Sequence, residues 1–189
     1  MRALQILAAV PVVAAPLLLF PLVVAPGAAA EKPAAKPTAA PAAAKPGGPK
    51  AIGKFDDWTA ATTAEGGQTI CYAFVRAERS SPAVPGRGDV ILTVTQRAVG
   101  RDAVAISAGF TYPARAAVTV QADQTALDFY TAGRSAFARE GGKAVATFEK
   151  ARQVTARSPG PKNAPVVDTF SLKGFGKAYD AISKACPPK

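Results

Sequence analysis

Between residues 68 and 172 six short runs keep the two-residue period of a pleated strand, and Gly, Pro and Asp turns separate them. Gln68 to Val75 is apolar at both parities, the pattern of a strand covered on both faces. Asp89 to Gln96 alternates, with Val90, Leu92 and Val94 on one side and Ile91, Thr93 and Thr95 on the other. After a polar turn at Gly100-Arg101-Asp102, Val104, Ile106, Ala108 and Phe110 alternate again. Ala117 to Gln121 is short and β-branched, and Thr125, Leu127 and Phe129 alternate with Ala126, Asp128 and Tyr130. Val166 to Leu172 closes the series. A succession of this kind predicts a mainly β chain folded as an antiparallel β-sandwich rather than a parallel α/β sheet.

Two segments change period. Ala144, Val145, Phe148 and Ala151 fall at helical spacing after Gly141-Gly142, which predicts a short helix near 143–152. Phe175, Ala178, Tyr179, Ile182 and Cys186 form one continuous helical stripe, and Pro187-Pro188 stops it. A C-terminal amphipathic helix near 174–185, docked on the sheet, is expected.

The first 50 residues carry no such patterns. Arg2 and an apolar run from Ala3 to about Ala25, followed by Ala28-Ala29-Ala30, have the layout of a signal peptide over residues 1–30. A retained membrane anchor is the rival reading, but Pro11, Pro16 and Pro21 each remove a helix hydrogen bond, and the small-residue exit suits cleavage. No Cys lies near that exit, which excludes a lipoprotein, and no transmembrane segment is expected after cleavage. Residues 31–50 hold Pro33, Pro37, Pro41, Pro46 and Pro49 among Ala and Lys, the composition of a semi-extended tether. Residues 51–189 remain as a single domain of ordinary size.

Export bears on the two cysteines, Cys71 in the strand expected to be most buried and Cys186 on the buried stripe of the last helix. In an oxidising compartment two such thiols pair. With no CxxC, no further thiol and no His, a structural disulfide is the expectation and a redox or metal role is not. The missing His also removes the commonest general base, the usual metal ligand and every Ser-His or Cys-His pair. No catalytic, cofactor-binding or metal-ligating residue is predicted.

Without Arg2, Glu31 and the four tether lysines, residues 51–189 keep 18 basic against 12 acidic side chains, a net +6. The excess is spread over loops, with little aromatic interleaving. It supports weak attraction to anionic surfaces and no specific nucleic-acid site.

A few motifs invite sharper readings. Arg87-Gly88-Asp89 resembles an adhesion tripeptide in a loop, yet Gly-Asp before a strand is ordinary turn chemistry, which is the preferred reading. Asp56-Asp57 are adjacent and point to opposite sides in an extended chain, so they fit an exposed turn better than a carboxylate pair. Asp168 shares parity with Phe170 and Leu172, and a carboxylate held by backbone and an Arg neighbour is expected over a functional one. Gly174-Phe175-Gly176 lacks a phosphate-cradling pattern and reads as the turn from strand to helix.

Phe55-Asp56-Asp57-Trp58, the Thr69-Ile70-Cys71-Tyr72 strand and the ending Val167 to Phe175 together resemble the invasion-associated locus B (IalB) family of Gram-negative bacteria, over about residues 52–187. The resemblance implies an immunoglobulin-like sandwich, export to the cell envelope and, in a few pathogens, a link to host-cell entry. It implies no catalytic residue. Many members carry a Cys shortly after the Trp, where this chain has Ala60-Ala61-Thr62, so its disulfide framework differs. The expected function is a non-enzymatic periplasmic or secreted envelope protein whose partner is another envelope protein or an anionic envelope polymer. A surface-exposed adhesion or invasion factor and a His-free hydrolase using Asp168 are the alternatives.

Overall fold

The computed structural model describes residues 48–188, so the expected signal peptide and most of the expected tether lie outside the described residues. The strands follow in chain order as β1 (Lys50–Phe55), β2 (Trp58–Glu65), β3 (Gln68–Arg76), β4 (Arg79–Ser81), β5 (Ile91–Gln96) and β6 (Ala103–Ser107). After them come β7 (Thr119–Ala122), β8 (Thr125–Leu127), β9 (Phe129–Ala132), β10 (Ser135–Ala138), β11 (Gln153–Pro159) and β12 (Pro165–Ser171). Helix α1 (Gly141–Phe148) lies between β10 and β11, and α2 (Phe175–Ala185) follows β12.

The strands form two antiparallel sheets, a seven-stranded one ordered β1-β2-β3-β5-β6-β10-β9 and a five-stranded one ordered β4-β12-β11-β7-β8. The expected antiparallel sandwich is therefore what the chain forms. Alternate residues of the wider sheet, among them Ala60, Ala73, Leu92, Val94 and Ile106, face Val120, Val154, Val166 and Phe170 of the narrower one, and all are buried. Helix α2 packs against β1, β2, β3 and β5. Its buried residues Phe175, Ala178 and Ile182 are members of the expected stripe.

Several boundaries differ from expectation for physical reasons. The alternating run at 125–130 is two strands in different sheets, split at Asp128, because Leu127 and Phe129 are buried in separate layers. The short helix starts at Gly141 rather than 143 and ends at Phe148. Gly141 sits so close to the Asp102 carbonyl that a Cβ there would collide with it. The run through Phe110 stops pairing at Ser107, because Gly109 takes a left-handed φ of 74° and turns the chain. Strands β1, β2, β4, β10 and β11 carried little apolar signal. They are short, mostly exposed, or built from Ala and Thr.

The outer face of β3 is the largest departure. Its sequence implies cover on both faces, but Tyr72 and Phe74 are only half-buried, on the side of the sheet away from the core.

Candidate functional site

Arg87 and Asp168, singled out separately in the sequence, meet inside the sandwich. Their side chains are 6% and 3% exposed. The guanidinium donates from Nη1 to Asp168 Oδ1 at 2.8 Å and from Nη2 to Oδ2 at 2.7 Å, a bidentate fork. Its Nε donates to the Ala108 carbonyl at 2.7 Å, and its Cζ lies over the Phe110 ring, 4.9 Å from the centroid. Ser80 Oγ donates to Asp168 Oδ1 at 2.7 Å. The clasp joins the loop before β5 to β12 and β4. Asp89 instead points outward and pairs with exposed Arg76. The Arg-Gly-Asp triplet thus presents its acid to solvent and its base to the core, and Asp168 is held by backbone-anchored Arg chemistry as the structural reading expects. Burial pushes the nearby Tyr112 phenol above its ordinary 10.0; the charge of Asp168 adds to this, while Ser158 and Arg87 oppose it.

Asp56 and Asp57 do not converge. They form the two-residue turn between β1 and β2, where Asp56 has φ 50° and lies 3.9 Å from Lys173 Nζ. Asp57 accepts from Ser171 Oγ at 2.7 Å. That bond belongs to a latch between the two ends of the domain. Trp58 Nε1 donates to the Ser171 carbonyl at 3.0 Å, and the Trp58 ring meets Phe175 edge-on at 4.9 Å. Gly174, with φ 89°, backs onto the Phe55 carbonyl, where any Cβ would collide. So the opening block at 55–58 and the closing block at 167–175 form one contact surface.

The disulfide completes the latch. Cys71 and Cys186 are bonded, with Cα atoms 5.9 Å apart and a separation of 115 positions along the chain. Cys71 is fully buried. Cys186 is half-buried, because it sits one residue beyond α2 as its C-cap rather than within the helix. Its carbonyl accepts from Arg101 Nη1 at 2.7 Å. Under the helix, Asp102 Oδ1 accepts from Tyr179 Oη at 2.7 Å and from Gln96 Nε2 at 2.6 Å. Gln96 Oε1 accepts from the Asp102 amide at 3.1 Å. Burial and the bond to Asp102 raise the Tyr179 phenol above 10.0.

The open face of the seven-stranded sheet was missed as a site. It holds a groove of about 400 Å³ bordered by Tyr72, Phe74, Ile91, Thr93, Arg76 and Arg97. The signal in the sequence was the apolar character of 68–75 at both parities. No group of three or more Cys, Asp or Glu is placed to hold a metal ion among the described residues. Nor, among them, is any helix long and apolar enough to cross a membrane.

These features define a disulfide-closed antiparallel sandwich with its ends latched by an aromatic cluster. The family model for the Invasion associated locus B (IalB) protein matches residues 58–183, and the chain belongs to that family. Among solved structures, the crystal structure of invasion associated protein B from Bartonella henselae is similar in fold, with a TM-score of 0.53 at 16% identity. The similarity covers 70% of this chain and 95% of that one. Comparison with curated proteins returns no match.

Proposed function

We propose that this IalB-family chain is an exported, non-enzymatic envelope protein held to an anionic envelope component by its excess positive charge. The carrying observation is the bond between Cys71 and Cys186, because a disulfide joining distant parts of a domain belongs to an oxidising compartment. The layout of residues 1–30 agrees with it. Hydrolysis through Asp168 loses its support, since the bidentate Arg87 fork occupies both carboxylate oxygens. Osmotic release from the producing bacterium tests the reading. Recovery in the periplasmic or secreted fraction, retained on envelope fragments at low salt, supports it; recovery in the cytoplasm overturns it.

The name of the Bartonella henselae protein favours a second reading, an adhesion or invasion factor at the cell surface. Such a role has to use a surface other than Arg-Gly-Asp, whose Arg87 is buried. Protease treatment of intact cells separates the two, since a periplasmic protein survives it.

A further inference from the structure

The outer face of the seven-stranded sheet has relief as well as apolar character. One cross-strand row runs from Phe74 on β3 through Thr93 on β5 and Ala105 on β6 to Phe137 on β10 and Tyr130 on β9. Tyr72 stacks on Phe74 at 6.0 Å, and Phe137 stacks on Tyr130 at 5.6 Å. Two aromatic ridges therefore flank a trough floored by Thr93 and Ala105. The trough is two strands wide, about 10 Å at the ordinary strand spacing, which is room for one stacked pair.

The charge on this face has its own logic. Three arginines stand around it, each joined to a carboxylate: Arg76 to Asp89, Arg97 to Glu65 and Arg139 to Asp128. Arg139 also lies over the Tyr130 ring at 5.3 Å. Residues 51–189 carry net +6, yet these three rim arginines are each balanced, and Lys54 on the edge strand β1 and Arg134 in the β9–β10 turn are the further cations beside them. A polyanion would select unpaired cations here, and a cationic partner would select unpaired acids. A surface of mixed, balanced charge suits a copy of itself, because a two-fold rotation brings its arginines toward the partner's carboxylates.

We propose that this face is the interface of a two-fold dimer of the chain, with a ridge of each copy seated in the trough of the other. Sheets packed face to face keep their strands within about 30° of one another, the arrangement already present inside the sandwich. From β2 to β9 the face spans six strands, about 24 Å across by about 20 Å along the strands. That flat footprint of about 480 Å² is below the roughly 800 Å² per partner of a standard interface, and side-chain relief adds to it. This inference goes beyond charge-held retention, which uses the unpaired cations elsewhere.

Sedimentation of the protein isolated from its own cells tests it, in low salt and in 1 M salt. The expected result is the mass of two chains at micromolar concentration in both buffers. Thr93→Lys, at the trough floor, should give the mass of one chain with an unchanged circular dichroism spectrum. Gln121→Lys, on the exposed side of the other sheet, should stay dimeric. If Thr93→Lys misfolds, Thr93→Cys in the otherwise native chain replaces it, and oxidation should then yield a covalent dimer that Gln121→Cys does not. A single-chain mass for the native protein overturns the proposal. So does a folded Thr93→Lys that remains dimeric, or a monomer whose envelope retention is lost with that substitution, which would give the face to a different partner. Retention lost in 1 M salt while the dimer persists leaves the two readings cleanly separated.

Discussion

Arg87 and Asp168 show how one buried contact can settle two ambiguous motifs. A buried pair is expensive to desolvate, so each half depends on the other. Arg87→Met should destabilise the fold by about 3–5 kcal/mol, because it strands the Asp168 charge in the core. Asp89→Ala, which breaks only the exposed pair with Arg76, should cost about 0–1 kcal/mol. The double change Arg87→Met with Asp168→Leu should be milder than Arg87→Met alone, since no charge is left unpaired. Urea unfolding of the three variants reads these differences, and equal losses for Arg87→Met and Asp89→Ala would contradict the clasp. Tyr112 and Tyr179 add a pH dependence. Both phenols ionise above 10.0 in the folded protein, so the unfolded chain loses its protons first. Their contribution is fully present below pH 10 and is lost as pH rises through the folded values. Thermal midpoints should therefore fall as pH rises above about 10, and less so in Tyr112→Phe. An alkaline loss unaltered by that substitution would remove Tyr112 from the explanation.

At the level of elements, α2 is the piece whose attachment the disulfide decides. Closing a loop of about 100 residues restricts the unfolded chain by an amount worth up to about 4.7 kcal/mol. Cys71→Ser or Cys186→Ser should each lower the unfolding midpoint by several degrees, and the double variant should lose no more than one single change. Additive losses in calorimetry would show that the thiols act separately. Because Cys186 is a half-buried cap beyond the helix, loss of the bond should fray α2 before it melts the sheets. Helix α2 was legible because its stripe repeats at 3.6 residues and ends at Pro187. Strands β5, β6 and β12 were legible because Leu92 and Val94, Val104 and Ile106, and Val166 and Phe170 repeat along one face, and β3 because it is apolar at both parities. β2 was not: its core-facing residues after Trp58 include Ala60, too small to mark an alternation. Nor could local pattern divide 125–130 at Asp128, where the chain passes between layers that only the folded sandwich defines. The disulfide was within reach because two thiols have one intramolecular pairing. The Arg87–Asp168 clasp spans 81 positions, and parity flagged Asp168 as inward without naming its partner.

On the scale of the whole molecule, the IalB domain joins an opening block to a closing block through a latch, and the proposed export signal is in the sequence ahead of it. Adhesion to envelope polymer should weaken as the Debye length shrinks from about 10 Å at 0.1 M salt to about 3 Å at 1 M. Removing residues 31–50, with their four lysines, should weaken it further at low salt, and pull-downs that do not respond to either change would contradict charge as its basis. The central claim is that export and oxidation deliver a latched domain to the envelope. Intact mass spectrometry of the unreduced protein from its own bacterium tests both parts together. The account predicts a chain beginning at Glu31 and lighter by two hydrogen atoms than its reduced form, with Cys71 and Cys186 in one cross-linked peptide after digestion. A mass that retains residues 1–30 and carries two free thiols would contradict it.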